Sequence, residues 1–381
     1  MGEGDDCLQD GGGGDRATQT RAEADRQPSL ALHFTGEFGA YVWLVVRNAG
    51  LSLVTFQIYR FWGRTRLRRF LWSHTRIGRE YLVYTGRGIE LFLGFLLAML
   101  LFVGIALLIG WWVPALPEKP QWRDILPFYL AMTGVFGYLY PLAFYRGWRY
   151  RLSRTRWGVL GCRWCGQGFL LAAQTGFAVL AELATLGLAM AATRPWLWRR
   201  FWSQVEIGGR AVSCRPVARR PLVVAILMGQ GLVLMSGLAG ALLYNIDAVP
   251  LIPSRDVFLA GVWQEYLIGF WMGSFPSSLV AYVVWRARFL RQAVSALSWE
   301  GVRVRLDLTI PRYGLYQLGN LALVIFTFGA GLALLPYRRF AFFCRHLELR
   351  GAPDPTRLKA AGPEPGLTGE GLWEVFNLGA V

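Results

Sequence analysis

Residues 59–78 read YRFWGRTRLRRFLWSHTRIG. The run follows an apolar stretch, Tyr41–Tyr59, and ends on a glycine just before the β-prone Tyr81-Leu-Val-Tyr84. Arginines and aromatics crowded at the end of an apolar stretch mark where a helix leaves hydrocarbon. The hydroxyls of Ser73 and Thr75 and the glycine at 78 suit a turn from helix into strand. The phrase recurs 80 residues later, where SRTRWG (153–158) stands against SHTRIG (73–78).

Outward from this stretch the chain is greasy. Of its 381 residues 54% are apolar and 15% aromatic, and the mean hydropathy is positive. Leu91–Val113, Ile125–Tyr145, Phe169–Ala192, Leu222–Tyr244, Val257–Trp285 and Leu318–Tyr337 approach or exceed the roughly 20 residues that cross a bilayer. Arg47 and Asn48 interrupt the weaker stretch Tyr41–Tyr59. The composition excludes an ordinary soluble domain. The net charge of +16 is carried almost wholly by arginine, with lysine only at 119 and 359. These arginines cluster after apolar stretches, as the positive-inside bias requires, and no nucleic-acid motif accompanies them. The partners implied are the lipid bilayer and its anionic headgroups, with no nucleic acid.

Charge counting assigns sides. Residues 60–88 carry net +7, 146–167 net +6, 193–220 net +6, 286–314 net +4 and 338–350 net +3. Residues 114–124 are neutral and 245–256 carry net −1. The two weakly charged turns belong outside and the rest in the cytoplasm. Leu91–Val113 with Ile125–Tyr145, and Leu222–Tyr244 with Val257–Trp285, then form two transmembrane hairpins. Phe169–Ala192 and Leu318–Tyr337 have basic flanks at both ends, so they are expected to enter and return on one side. Tyr41–Tyr59 reads the same way.

Further repeats support this organisation. Offset by 130, Thr55, Trp72, Ser73, Ile77 and Gly78 match Thr185, Trp202, Ser203, Ile207 and Gly208. Offset by 272, Asn48 and Thr55 match Asn320 and Thr327. Thr185-Leu-Gly187 and Thr327-Phe-Gly329 share T-x-G, and each precedes an aromatic and arginine cluster. Val302–Ile310 alternates apolar and polar residues, the pattern of a half-buried strand. The fold expected is mainly α: a polytopic helical membrane protein with internal repeats. It has about five to seven membrane-embedded helices, some re-entrant, and short cytoplasmic β-hairpins between helical units. Residues 1–30 are acidic and Gly-rich, and 351–381 are rich in Pro and Gly; both read as tails around a membrane domain at 34–350. Cys162 and Cys165 form a C-R-W-C pair without a second pair or nearby histidines, so free thiols are expected, with no metal and no cofactor.

The run at 59–78, preceded by Asn48 and LVTFQIY (53–59) and followed by YTGRG and ELFLGF, closely resembles the YjgN-like family. These are bacterial inner-membrane proteins grouped as domain of unknown function 898. The family's opening F-x-G stands here as Phe34-Thr-Gly36. Its N…TLGIY-x-x-W-x-x-x-R phrase stands as TFQIYRFWGRTR, with Gln57 where glycine is usual, so glycine is not expected to be essential there. The resemblance implies a cytoplasmic-membrane location. It brings no known activity, cofactor or catalytic residue.

Ionisable groups inside apolar segments are functional candidates. Glu182, with Gln174 nearby, Asn48, Asn320, Glu265 and Glu90 form the candidate intramembrane polar set. Pro141 and Pro276, each in the second helix of a hairpin, are candidate kinks. Arg76, Arg156, Arg68, Arg69, Arg199, Arg200, Arg338 and Arg339 are expected at headgroups or helix–strand junctions. Hydrolase, metalloprotease and nucleotide-binding signatures do not occur. Two function classes follow: solute or ion transport between repeats, and a non-catalytic organiser or regulator that binds anionic headgroups. A lipid-modifying enzyme is the weaker third.

Overall fold

The computed structural model describes residues 29–112, 121–244, 263–353 and 358–360. The chain up to residue 28, most of the 114–124 turn, the 245–256 turn and the closing LWEVFNLGA lie outside the described residues. In order, the elements are β1 (Ser29–Leu30), β2 (Leu32–Phe34), α1 (Phe38–Val54), α2 (Arg60–Ser73), β3 (Thr75–Ile77), β4 (Glu80–Tyr84), α3 (Gly88–Trp112) and α4 (Trp122–Ser153). Next come β5 (Thr155–Trp157), β6 (Leu160–Trp164), α5 (Gly168–Ala184), α6 (Met190–Trp202), β7 (Val205–Ile207), β8 (Arg210–Ala211), β9 (Ser213–Cys214) and α7 (Arg220–Tyr244). The chain closes with α8 (Trp263–Ser295), β10 (Leu297–Trp299), β11 (Val302–Leu306), α9 (Ile310–Phe326), α10 (Leu335–His346) and β12 (Leu347–Arg350). The architecture is mainly helical.

Helices come in pairs, and an antiparallel strand pair brackets each. Phe34 opposite Thr75 closes α1–α2, and Tyr84 opposite Thr155 closes α3–α4. Trp164 opposite Val205 closes α5–α6. Cys214 opposite Leu297 closes α7–α8, and Leu306 opposite Leu347 closes α9–α10. Paired strands lie only about 5 Å apart, so both ends of every helical pair sit at one face. Between brackets the strands reverse through two-residue turns, as where Ile77 faces Glu80 and Trp157 faces Leu160. Gly78 (φ 63°) and Gly158 (φ 55°) supply the left-handed backbone that such turns require. Thr75 Oγ1 donates to Leu71 O at 2.7 Å and Thr155 Oγ1 to Arg151 O at 2.8 Å, closing the helix before the strand begins.

The strands form a seven-stranded sheet, β2 to β8 in chain order, and a five-stranded sheet ordered β1-β12-β11-β10-β9. Segments 29–34 and 210–214 each contribute to both sheets. At these joins Gly78 N donates to Ala31 O (2.9 Å) and Val212 N to Val205 O (2.8 Å). The pairings therefore run in a closed circuit, the arrangement that best suppresses open edges. Trp157 and Trp299, one from each sheet, pack 5.8 Å apart among Leu30, Leu160, Ile207, Val304 and Leu349. An aromatic ring also covers the glycine two residues on: Phe34 over Gly36, Tyr84 over Gly86 and Trp164 over Gly166. A Cβ at Gly86 would stand 2.6 Å from the Tyr84 ring, which gives the F-x-G phrase its physical reason.

Four helical segments are long and apolar enough to cross a membrane: Gly88–Trp111, Ile125–Ser153, Arg220–Tyr244 and Gln264–Ser295. The remaining apolar stretches are each split by a tight turn. Helices α1, α5 and α9 have 17 residues apiece, about 25 Å at 1.5 Å per residue. Each ends on a threonine. Thr55 Oγ1 donates to Leu51 O (2.8 Å) and accepts from Tyr59 N (3.0 Å). Thr185 repeats the pattern with Ala181 O and Ala189 N, and Thr327 with Leu323 O and Gly331 N. Two left-handed residues follow each threonine: Phe56–Gln57, Leu186–Gly187 and Phe328–Gly329. The first of each pair is an apolar side chain, 91%, 85% and 99% exposed respectively.

Several expectations need correction. Ser29 and Leu30 belong to a strand, and Lys359 N donates to Gly208 O at 2.9 Å, so the folded domain exceeds 34–350 at both ends. The alternating stretch at 302–310 is strand only to Leu306, because Pro311 in the first turn of α9 sets a helical start. At position 57 glycine is not essential, as expected, but Gln57 adopts left-handed backbone (φ 68°) where the matching turns have Gly187 and Gly329. The two prolines are not equivalent: Pro141 is buried and Pro276 exposed. Pro141 also lies 12 residues before the end of α4, against 19 for Pro276 in α8.

The two long pairs pack differently. Helices α3 and α4 share few backbone approaches, although Phe102 stacks on Phe136 at 6.2 Å. Helices α7 and α8 meet along a seam of small residues, Gly229 against Ala281 and Gly240 against Gly269 and Gly273, with the Phe270 ring on Gly237. Ser236 and Ser277 share a hydrogen bond of 2.6 Å there. Such seams let helices approach where lipid provides no hydrophobic drive.

Gly273→Leu should lower stability by about 1–3 kcal/mol, because its side chain would enter the Ser236 backbone; thermal unfolding in detergent reads this. Gln57→Gly should raise stability by about 0.5–1 kcal/mol by relieving the left-handed strain. A lower melting point for that variant would count against the strained turn.

Candidate functional site

The polar candidates divide into pairs already closed by the fold and groups that line cavities. Glu182 lies near the end of α5 and is 7% exposed. Thr193 Oγ1 donates to its Oε1, and the Arg194 guanidinium pairs with its Oε2. Glu182 lies on the arm before the T-x-G turn and Arg194 on the arm after it, so the ion pair ties the two arms of one helical hairpin.

Glu90, in the first turn of α3, is buried with its partners. Arg154 Nη2 donates to Oε1 at 2.8 Å, and Tyr150 Oη donates to Oε2 at 2.5 Å. Arg154 and Glu90 are each only 3% exposed. Thr85 N donates to Arg154 O at 2.9 Å in the strand pair that brackets α3–α4. The ion pair therefore locks α3 to the end of α4. Sixty-four residues separate the partners, and nothing local in the sequence announces them.

Asn48 Nδ2 donates to Gly63 O (3.2 Å), fastening α1 to α2 at a glycine whose missing side chain makes room. Asn320 instead donates to Gln317 Oε1 at 3.3 Å within its own helix. The matching role across α9–α10 falls to Arg338, whose Nη1 donates to Gly319 O at 2.8 Å. Glu265 is exposed at the start of α8.

The arginines also divide. Arg68 is completely buried and donates Nη1 to Tyr84 Oη at 3.1 Å; its assignment to headgroups is wrong, because no lipid can reach it. Arg69 Nη2 donates to Gly86 O at 2.8 Å, joining α2 to the loop before α3. Arg76 and Arg156 lie within β3 and β5, one residue past the junction that the threonine hydroxyls close. Arg199, Arg200 and Arg339 are exposed.

One cavity gathers two sequence candidates, Gln174 and Arg200. About 320 Å³ in volume, it is lined by Cys165, Gln167, Gln174, Arg200 and Gln204 where β6 passes into α5. The side-chain oxygens of Gln174 and Gln204 are buried there without a hydrogen-bond partner among the described residues. Cys162, Cys165, Cys214 and Cys344 are free thiols. Burial pushes the Cys162 thiol up to about 11, so it is protonated and unreactive at neutral pH. Among the described residues, no three His, Cys, Asp or Glu side chains converge as a metal set.

The profile of a family described as bacterial protein of unknown function, DUF898, matches residues 29–375. No curated protein and no solved structure matches the chain.

Arg154→Ala should destabilise by about 3–5 kcal/mol, since it strands the buried Glu90 carboxylate. The double variant Glu90→Leu with Arg154→Met should recover most of that loss. Thermal unfolding in detergent measures both, and equal losses for the single and double variants would refute the closed pair. At pH 7.4 a maleimide should modify Cys165, which is exposed, far faster than Cys162.

Proposed function

The chain belongs to the DUF898 family of bacterial proteins of unknown function, and we propose that it is a non-catalytic scaffold of the inner membrane that binds anionic lipid headgroups through an arginine layer. The observation that carries this reading is the bracketing of every helical pair by paired strands. Bracketing gathers the two outer ends of each of the five helical pairs, and the arginines beside them, at one face. In a bilayer that face is the cytoplasmic one by its charge. The four long helices cross, and the short helical hairpins enter the near leaflet by the exposed tips Phe56, Leu186 and Phe328. Exposed Arg199, Arg200 and Arg339 then lie at headgroup level, where each basic residue near an anionic surface contributes about 1 kcal/mol. The recurrence of helix, threonine-capped turn, helix and strand supports descent from a duplicated unit.

Transport is the less favoured reading. It would need Glu182 free to face a solute, whereas Glu182 is held by Arg194 and Thr193 inside its own hairpin.

Two measurements test the proposal. Single cysteines at Leu170, Arg199, Arg312 and Arg345 in a cysteine-free chain should all react with a membrane-impermeant maleimide from the cytoplasmic side. Labelling of Leu170 and Arg199 from opposite sides would overturn the returning hairpin. In nanodiscs, brominated phosphatidylglycerol should quench tryptophan more than brominated phosphatidylcholine, and the excess should fall as salt rises toward 1 M, where screening shortens to about 3 Å. Equal quenching by the two lipids would remove the headgroup reading.

A further inference from the structure

A second, larger cavity lies at the end of α8, away from every residue discussed above as a candidate. It measures about 460 Å³ and is lined by Arg291, Gln292 and Ser295 of α8, Arg303, Arg305 and Asp307 on and just past β11, and Arg350 of β12. Its charge follows from strand geometry. Val302 and Leu306 are buried and Val304 packs on the core between the sheets. Alternation therefore turns Arg303, Arg305 and Asp307 to the opposite face. Arg303 stands directly across from Arg350 in the β11–β12 register. Like charges in that relation repel and cost stability.

Of the nearby carboxylates, Asp307 pairs with Arg312 at 3.4 Å, and Glu348, which stands across from Arg305 in the register, accepts from Arg350 of the cavity wall at 3.1 Å. Arg291, Arg303 and Arg305 make no salt bridge or side-chain hydrogen bond among the described residues. Ser295 Oγ accepts from Leu306 N at 3.1 Å, which leaves its own O–H to donate. The wall thus offers several guanidinium forks and one hydroxyl donor.

We propose that this cavity is a binding site for a phosphate ester. The guanidinium groups of Arg303, Arg305 and Arg291 hold the phosphate oxygens, the geometry for which arginine is best suited. The Ser295 hydroxyl adds a donor. Ser295 ends a helix long enough to cross a membrane, so the ester can arrive as the headgroup of phosphatidylglycerol or as a soluble molecule such as glycerol 3-phosphate. Only the first source rests on the headgroup reading above.

The test uses the full chain with two probes. Calorimetry in neutral detergent measures glycerol 3-phosphate and inorganic phosphate. Native mass spectrometry from nanodiscs of equal phosphatidylglycerol and phosphatidylcholine measures retained lipid. Arg303→Ala with Arg305→Ala changes two exposed side chains, and Arg345→Ala, exposed and outside the cavity, is the control. The double variant should bind at least about tenfold more weakly, with a cooperative melting transition retained. Loss of glycerol 3-phosphate binding supports the soluble source, and loss of retained phosphatidylglycerol supports the lipid source. A double variant that matches the control with both probes overturns the site. If wild type and double variant then retain phosphatidylglycerol equally, the arginine layer stands without the cavity. If neither enriches phosphatidylglycerol but glycerol 3-phosphate binding is lost, the cavity stands without the layer.

Discussion

Strands of two to five residues cannot stand alone, because each leaves backbone donors and acceptors open along its edges. Here they are satisfied by one another in a closed circuit of pairings, and that circuit is the constraint on which the rest depends. A helical pair inserted between two paired strands must leave and return at the same face, whatever its length. Long pairs and short pairs can therefore alternate without changing the frame. The two-residue turns on the other side of the circuit have no such freedom, which is why Gly78, Gly158 and Gly208 all take left-handed backbone.

Within that frame, polar pairs serve as fasteners. Glu90 and Arg154 join α3 to α4, Glu182 and Arg194 join α5 to α6, and Asn48 joins α1 to α2 through Gly63. Each lies at or near a helix that would otherwise be held only by contacts with lipid-like side chains. Polar partners inside an apolar setting are costly to separate, and so they specify which helices belong together. The α7–α8 pair uses close approach instead, through its glycines and serines. The looser α3–α4 pair has no comparable seam, and the ion pair at its base carries more of the burden.

Much of this was legible in the chain. The phrases SHTRIG and SRTRWG do mark helix ends and strand starts, and Thr55, Thr185 and Thr327 do occupy one local geometry. Hydroxyl capping and glycine turns act over four residues or fewer, so their signals survive in the sequence. What escaped was long-range. Arg68 reads like any arginine of a basic loop, yet α2 carries it into the interior beside Tyr84. Arg303 and Arg305 were counted only as loop charge, although the alternation V-R-V-R-L already set them on one face. Their meaning appears only when α8 and β12 bring Arg291 and Arg350 beside them.

By itself the sequence determined the four helices long and apolar enough to cross a membrane, the repeated threonine positions and the glycine reversals, because hydropathy, hydroxyl chemistry and left-handed backbone are local properties. Only the tertiary structure decided that the brackets close into a circuit, that Glu182 and Glu90 already have their arginines, and that the basic residues of one strand face a cavity. Those facts depend on which distant segments lie within hydrogen-bond reach, and one chain read in order does not carry that distance.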